Sequence, residues 1–283
     1  MKLGIGLPNQ VRDVDASVIP EWASRAEQAG FGSVSTVGRL AYPGVMDTVA
    51  LAAAAGATKR VGLFSNIMLA PSWPAALFAK EIAGIDGVSG GRLTLGVGVG
   101  LRPDDFVVDG FGTGDRGRRM DRDLQIYRSV WNGESFGGGP NPAVPAGTRQ
   151  IPLIFGAGNA RAMRRMAEHG EGYVGPSVPA SMAGMLFDNA RAAWREAGRD
   201  GEPRLIGIAY FALGDVDKGR ANVADYYAGS GEFLDIVVGG VCTTTEEIAA
   251  AVKEYEALGA EEVFLNPTSD DLDEISRLAD VVL

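Results

Sequence analysis

Residues 151–170, IPLIFGAGNARAMRRMAEHG, set two glycines and an asparagine between a short apolar run and a helical pattern. A strand that gives way to a helix exposes the unpaired N–H groups of the helix start, and these amides together with the helix dipole attract anions. Gly156 and Gly158 would let the backbone approach a ligand, and Asn159 stands where a cap belongs. Arg161, in the first turn, opposes the dipole unless it meets a negative group. The chemistry implied is phosphate binding; a tight turn with an Asn cap is the plain alternative. A second glycine cluster, LGVGVGLRPDD at 95–105, strips side chains from a strand end near Gly98. It would admit a flat ring system, or its small residues would simply fill the taper of a barrel. Asp104 and Asp105 follow, suited to capping a helix or to touching a ligand. Arg39, Tyr42 and Trp73 lie in two further loops and are pocket candidates.

Other chemistries are disfavoured. One histidine, His169, and one cysteine, Cys242, leave too few soft ligands for a zinc or copper site. His169 near a helix end and Cys242 before a helix start read as structural residues. A single cysteine cannot form an internal disulfide, so a reducing, cytoplasmic setting is expected. The net charge of −10 argues against a nucleic-acid or anionic-membrane surface. No apolar run is long enough to span a bilayer. Lys59 and Lys80 fall on the helix side, which leaves no strand-end lysine for a Schiff base.

The elements that must position these residues alternate along all 283 residues. Strands are expected at 2–8, 33–37, 60–69, 92–100, 151–156, 171–175, 204–211 and 262–267. Helices are expected at 17–29, 46–58, 74–88, 116–132, 159–168, 180–197, 216–228, from 244, and at 270–282. In 116–132 the residues Met120, Leu124, Tyr127 and Trp131 recur at helical spacing. Eight strand–helix units close naturally into a single-domain (β/α)8 TIM barrel spanning 1–283, a size close to the family norm of about 250 residues. Two short insertions are expected, at 135–150 after strand four and at 229–243 around strand seven. A doubly wound sheet is the rival, but Gly-x-Gly-x-x-Gly does not follow the first strand.

In such barrels the loops leaving the C-terminal strand ends build the active site. Residues 38–44, 65–73, 98–106, 156–161 and 175–179 leave strands at that end. Ser-Gly-Gly-Arg at 89–92 lies at the opposite, stability face, which makes Arg92 structural. Tyr173 is expected to fill the barrel.

Four segments in order resemble the bacterial luciferase-like superfamily of flavin-dependent oxidoreductases: AEQAGFGSV (26–34), LAPSWPAALFAKEIAGIDGVSGGRLTLGVGVG (69–100), FGTGDRGRRMDRDLQIYRSVW (111–131) and PLIFGAGNARAMRRMAEHGEGYV (152–174). The resemblance implies a TIM barrel that binds reduced FMN, or alternatively the deazaflavin coenzyme F-420, at the C-terminal face. It implies a non-proline cis peptide between Asn66 and Ile67, behind the cofactor ring. By the same resemblance Arg119, Gly158 and Arg161 contact the cofactor phosphate, and Gly98, Gly156 and Asn159, singled out above from the glycine clusters and the helix start, join them as cofactor-binding candidates. The first activity implied is a monooxygenase that takes reduced FMN from a separate reductase and oxidises a small organic substrate. Hydride transfer with F-420 is the alternative, for which Arg102, Arg161, Arg164 and Arg165 would line a basic exit groove. A non-catalytic flavin-binding protein is the third reading. Many relatives place an acidic residue, often followed by histidine, at the end of strand two, where this chain has Gly38 and Arg39. A homodimer is also expected from the resemblance.

Overall fold

Parallel strands covered by helices on one side and by one another's side chains on the other are buried on both faces, which is why the strand segments are continuous apolar runs. In the computed structural model, which describes residues 1–107 and 110–283, these runs form β1 (Lys2–Gly6), β2 (Ser33–Thr36), β3 (Gly62–Ser65), β4 (Met68–Leu69), β5 (Leu93–Gly98), β6 (Leu153–Gly156), β7 (Gly172–Val174), β8 (Arg204–Phe211) and β9 (Glu262–Pro267). All pairings between them are parallel, and the order β1-β2-β3-β5-β6-β7-β8-β9 returns to β1 through Leu3 opposite Val263. The barrel is closed, as expected, and the open-sheet rival is excluded. One difference concerns the third rung. Residues 60–69 are not one strand: β3 pairs with β5 through Leu63 and Leu93, pairing lapses at Asn66–Ile67, and β4 resumes it through Met68 and Val97.

The helices are α1 (Val18–Ala29), α2 (Asp47–Ala57), α3 (Ala75–Ser89), α4 (Arg116–Trp131), α5 (Ala160–His169), α6 (Ala180–Glu196), α7 (Val216–Tyr226), α8 (Glu232–Gly239), α9 (Thr245–Ala257) and α10 (Asp273–Val282). Their limits follow local chemistry. Gly30 stops α1 in the left-handed region at φ 107°, donating its amide to Ala26 O, and a residue with a Cβ rarely adopts that conformation. Met120, Leu124, Tyr127 and Trp131 of α4 are all buried, and Trp131 Nε1 donates to Ala79 O at 2.9 Å. The insertion at 135–150 carries one bridge, Ser135 to Pro142, and otherwise no regular structure. The segment 229–243 contains α8, whose Phe233 and Val237 pack with Tyr210 and Tyr227.

Two cores result. The outer one lies between strands and helices; the inner one, filling the barrel, holds Phe64, Ile154, Val174, Ile206, Ile208 and Phe264. Phe64 and Phe264 stack at 5.1 Å across the interior. Tyr173 corrects an expectation: strand alternation turns it outward, edge-on to Phe187 of α6, and it does not fill the barrel. At the N-terminal face Arg92 donates to the carbonyls of Ala55, Thr58, Val61 and Ser89, the structural role its position implied. Burial and the neighbouring Arg128 lower the His169 pKa, and burial with Glu247 and Glu254 pushes the Cys242 thiol up to about 11. His169 ends α5, away from the strand-end loops, whereas Cys242 sits at the C-terminal end of β8, where it bridges Phe211 and its amide donates to Tyr210 O at 2.9 Å.

Candidate functional site

The strand-end loops form a rim whose two halves are built differently. On one half, the loop after β2 is fastened to the loop after β5 and to α7. Arg39, its side chain 8% exposed, hydrogen-bonds both Asp105 oxygens at 3.4 Å, Asp104, and Tyr226 O at 3.2 Å. Asp105 Oδ1 in turn accepts the amides of Leu40 and Ala41 at 3.0 and 3.1 Å. Arg102 donates to Tyr226 O at 2.7 Å and lies over the rings of Tyr226 and Tyr227. The Tyr42 hydroxyl donates to Asp225 at 2.7 Å, and its ring meets Tyr226 edge-on at 5.0 Å. Burial, followed by the Asp225 contact, raises the Tyr42 pKa, so its phenol stays neutral. Arg39 and Tyr42 are thus committed to protein partners. Asp104 and Asp105, suited by sequence to capping or to ligand contact, here clamp Arg39.

Below this network lies a pocket walled by Met68, Leu69, Trp73, Met46 and the Gly38–Leu40 backbone, with Asp47 in its lining. Trp73 leans on Phe78 with ring centres 5.8 Å apart, which fixes it as a wall. Asp47 is 5% exposed, and its Oδ1 has no hydrogen-bond partner among the described residues. Burial pushes its carboxyl up to about 6, only partly opposed by the neighbouring Thr36 hydroxyl and by its own amide at the start of α2. A Cβ at Gly38 would fall on the Asp47 carboxylate.

The other half of the rim is open. Asn159 caps α5, its Oδ1 accepting the Ala162 amide at 3.0 Å, while the Met163 amide bonds Asn159 O. Neither bond uses the amides of Ala160 and Arg161, the first two of the helix. Beside Gly158, a Cβ would find no atom within 4 Å. Arg161, with its side chain 66% exposed, reaches Asp121 of α4 at 3.1 Å, and Arg165 holds the same carboxylate. Burial alone would raise the Asp121 pKa, but the hydrogen bonds and charges of Arg165 and Arg161 outweigh it and hold it below its ordinary value. Arg119 donates to Gly114 O at 2.6 Å and to Gly112 O in the loop before its own helix, and across to Pro71 O at 3.3 Å in the loop after β4.

Between the halves stands Ile67. The Asn66–Ile67 peptide is cis, and Asn66 donates its amide to Thr36 O at 3.1 Å. Ile67 sends its side chain over the ends of β5 and β6, where Cβ atoms at Gly98 or Gly156 would meet its Cδ1. The missing side chains at 98 and 156 therefore make a slot for Ile67. Of the glycines that suggested ligand approach, Gly158 is the one with open space.

Two groups, and the partner of a third, escaped the sequence reading. Asp47 looked like an ordinary acidic residue in the first turn of a helix, and only Gly38, where the resemblance leads one to expect an acid, hinted that a carboxylate is supplied from a neighbouring position. Asp105 gave no sign of its partner, because Arg39 is 66 positions away. Asn266, fully buried at the C-terminal end of β9 beside Gly6, has neither side-chain atom hydrogen-bonded among the described residues.

The family model for luciferase-like monooxygenases matches residues 1–264. An uncharacterised Mycobacterium tuberculosis protein, Rv0940c, is 28% identical over 236 residues, covering 71% of this chain and 82% of that one. In fold, the chain is similar to an F420-dependent secondary alcohol dehydrogenase in complex with an F420-acetone adduct, with a TM-score of 0.81 at 18% identity over 99% of this chain and 98% of that one. It is also similar to the monooxygenase RslO1 of Streptomyces bottropensis, with a TM-score of 0.73 at 21% identity over 99% and 97% of the two chains. At such identities these two likenesses speak for the fold. The match that spans nearly the whole chain speaks for more, and with the closed barrel and its interrupted third rung it places this protein in the luciferase-like monooxygenase family.

Proposed function

We propose that this protein is a monooxygenase that takes reduced FMN from a separate reductase and oxidises a small organic molecule at the C-terminal mouth of the barrel. The observation that carries this reading is the pairing of an open helix start, at Gly158–Arg161, with an apolar pocket across Ile67. The residues present fit the cofactor. The two unused amides of α5, helped by the dipole and by Arg161, suit a phosphate. The unpaired amide of Asn266 at the barrel mouth offers a donor and an acceptor to a polar ring edge.

When bound, reduced FMN would supply the electrons with which oxygen is activated. This chain's own part is positional. Met68, Leu69 and Trp73 keep water from the substrate, and the clamp on Arg39 fixes the loop that roofs it. A second reading, hydride exchange with coenzyme F-420, is favoured by the protonatable Asp47 in the same pocket.

Parallel titrations of the protein with FMN, reduced FMN and F-420, followed by absorbance, distinguish the two. We expect reduced FMN to bind, its reoxidation by oxygen to be slower than in free solution, and Arg161→Ala to weaken binding about tenfold, as loss of one charge-assisted contact would. Saturable binding of F-420 alone would replace the first reading by the second, and no binding of any of the three would overturn both.

A further inference from the structure

We propose that Asp47 is the general base of this site and that its substrates are small, largely apolar molecules carrying a hydroxyl group, the inference resting on the reading of the mouth as the substrate site. The geometry is specific. A carboxylate borne by the first turn of α2 reaches under the end of β2, into space left free because residue 38 has no side chain. It enters the lining of a pocket whose other walls, Met68, Leu69 and Trp73, are apolar. Its Oδ1 is buried and accepts no hydrogen bond among the described residues, and the Thr36 hydroxyl beside the carboxyl is likewise unpartnered, so the pair keeps hydrogen-bonding capacity for a ligand hydroxyl. A hydroxyl is the donor that suits such a pair at the polar edge of an apolar wall.

The step is a proton transfer. The substrate O–H bond breaks and its electron pair stays on the substrate oxygen. The proton bonds Oδ1, so a carboxylate and an alcohol or phenol become a carboxylic acid and an alkoxide or phenolate. Burial sets the base near working pH: with its carboxyl pushed up to about 6, Asp47 is mostly ionised at neutral pH and readily protonated, as an efficient base must be. The groups facing it do not undo this. Arg39 lines the same pocket but is turned to Asp104 and Asp105, and Tyr226 of α7, itself held neutral by burial and by neighbouring Tyr227, is the other titratable neighbour. Met68, Leu69 and Trp73 bring no charge.

The test follows aspartate carboxyl 13C resonances of the full chain against pH, with phenol and benzene as probes. A resonance that titrates near pH 6 should vanish in Asp47→Asn, while that of Asp123, the other aspartate raised by burial, should remain. Phenol should shift the Asp47 resonance and benzene should not, and Trp73→Ala should lose the phenol response. Gly38→Ala, whose new methyl displaces the carboxylate, should return the midpoint toward the ordinary range, which tests the placement without removing the group. An ordinary midpoint for Asp47, no response to phenol, or equal responses to phenol and benzene would each overturn the proposal. Titrating Asp47→Asn with FMN and F-420 keeps the two claims apart. Cofactor binding unchanged from wild type leaves the functional reading standing whatever the fate of Asp47. Wild-type protein that binds neither cofactor sinks that reading while the carboxyl titration still reports on its own.

Discussion

The two halves of the rim solve opposite problems. Around β2, β5 and α7 the loops are stitched shut by a buried guanidinium, two carboxylates and a set of tyrosine rings. Around β6 and α5 the backbone is left bare, with Gly158 facing open space and Arg161 two-thirds exposed, while Arg165 is buried behind it against Asp121. A buried ion pair is expensive to break because the surviving charge has no water to turn to, whereas an exposed pair is screened and nearly neutral in stability. The clamped half therefore holds shape, and the bare half is free to receive a ligand.

The largest expected effect breaks the clamped half. Asp105→Ala removes the buried one of the two carboxylates that hold Arg39 and the acceptor for two amides, and should lower stability by about 3 kcal/mol in urea denaturation. If it costs no more than an exposed pair, the contrast between the halves is wrong. A smaller effect probes the seam. Gly156→Ala should cost about 1–3 kcal/mol by overpacking against Ile67, and the double variant with Ile67→Val should recover most of it. Strict additivity would mean that the two side chains do not compete for one space. The smallest effect is on the bare half. Asn159→Ala should cost about 1 kcal/mol through loss of the α5 cap, measurable as a small drop in melting temperature.

How much of this could be read from the chain depends on how local the cause is. The barrel was legible, since alternating apolar runs and helical stripes are short-range signals and eight of them leave few closed solutions. The α5 start was legible for the same reason: glycine, cap and helix lie within six residues. The break in the third rung was not visible in FSNIML itself and came only from the family resemblance. The Arg39–Asp105 clamp was invisible because it joins segments 66 positions apart that only the closed ring brings together, and the reach of Asp47 under Gly38 was invisible because it depends on how the loop after β2 folds back onto the start of α2. Gly98 and Gly156 teach a related lesson. Two glycines that looked like openings for a ligand are openings for a side chain 31 and 89 positions earlier, respectively.

Ile67 has a bearing on recombination. Its side chain keys into notches on two later strands, so the first third of the barrel and its middle are cut to one another at that point. A chimera that joins residues 1–110 of this chain to the remainder of a relative would inherit the peg, and would close properly only if the donor also carries a residue without a Cβ where Gly156 stands. Crossovers placed between β5 and β6 thus carry a compatibility rule that two positions decide, and libraries of shuffled barrels should be sorted by it before they are screened.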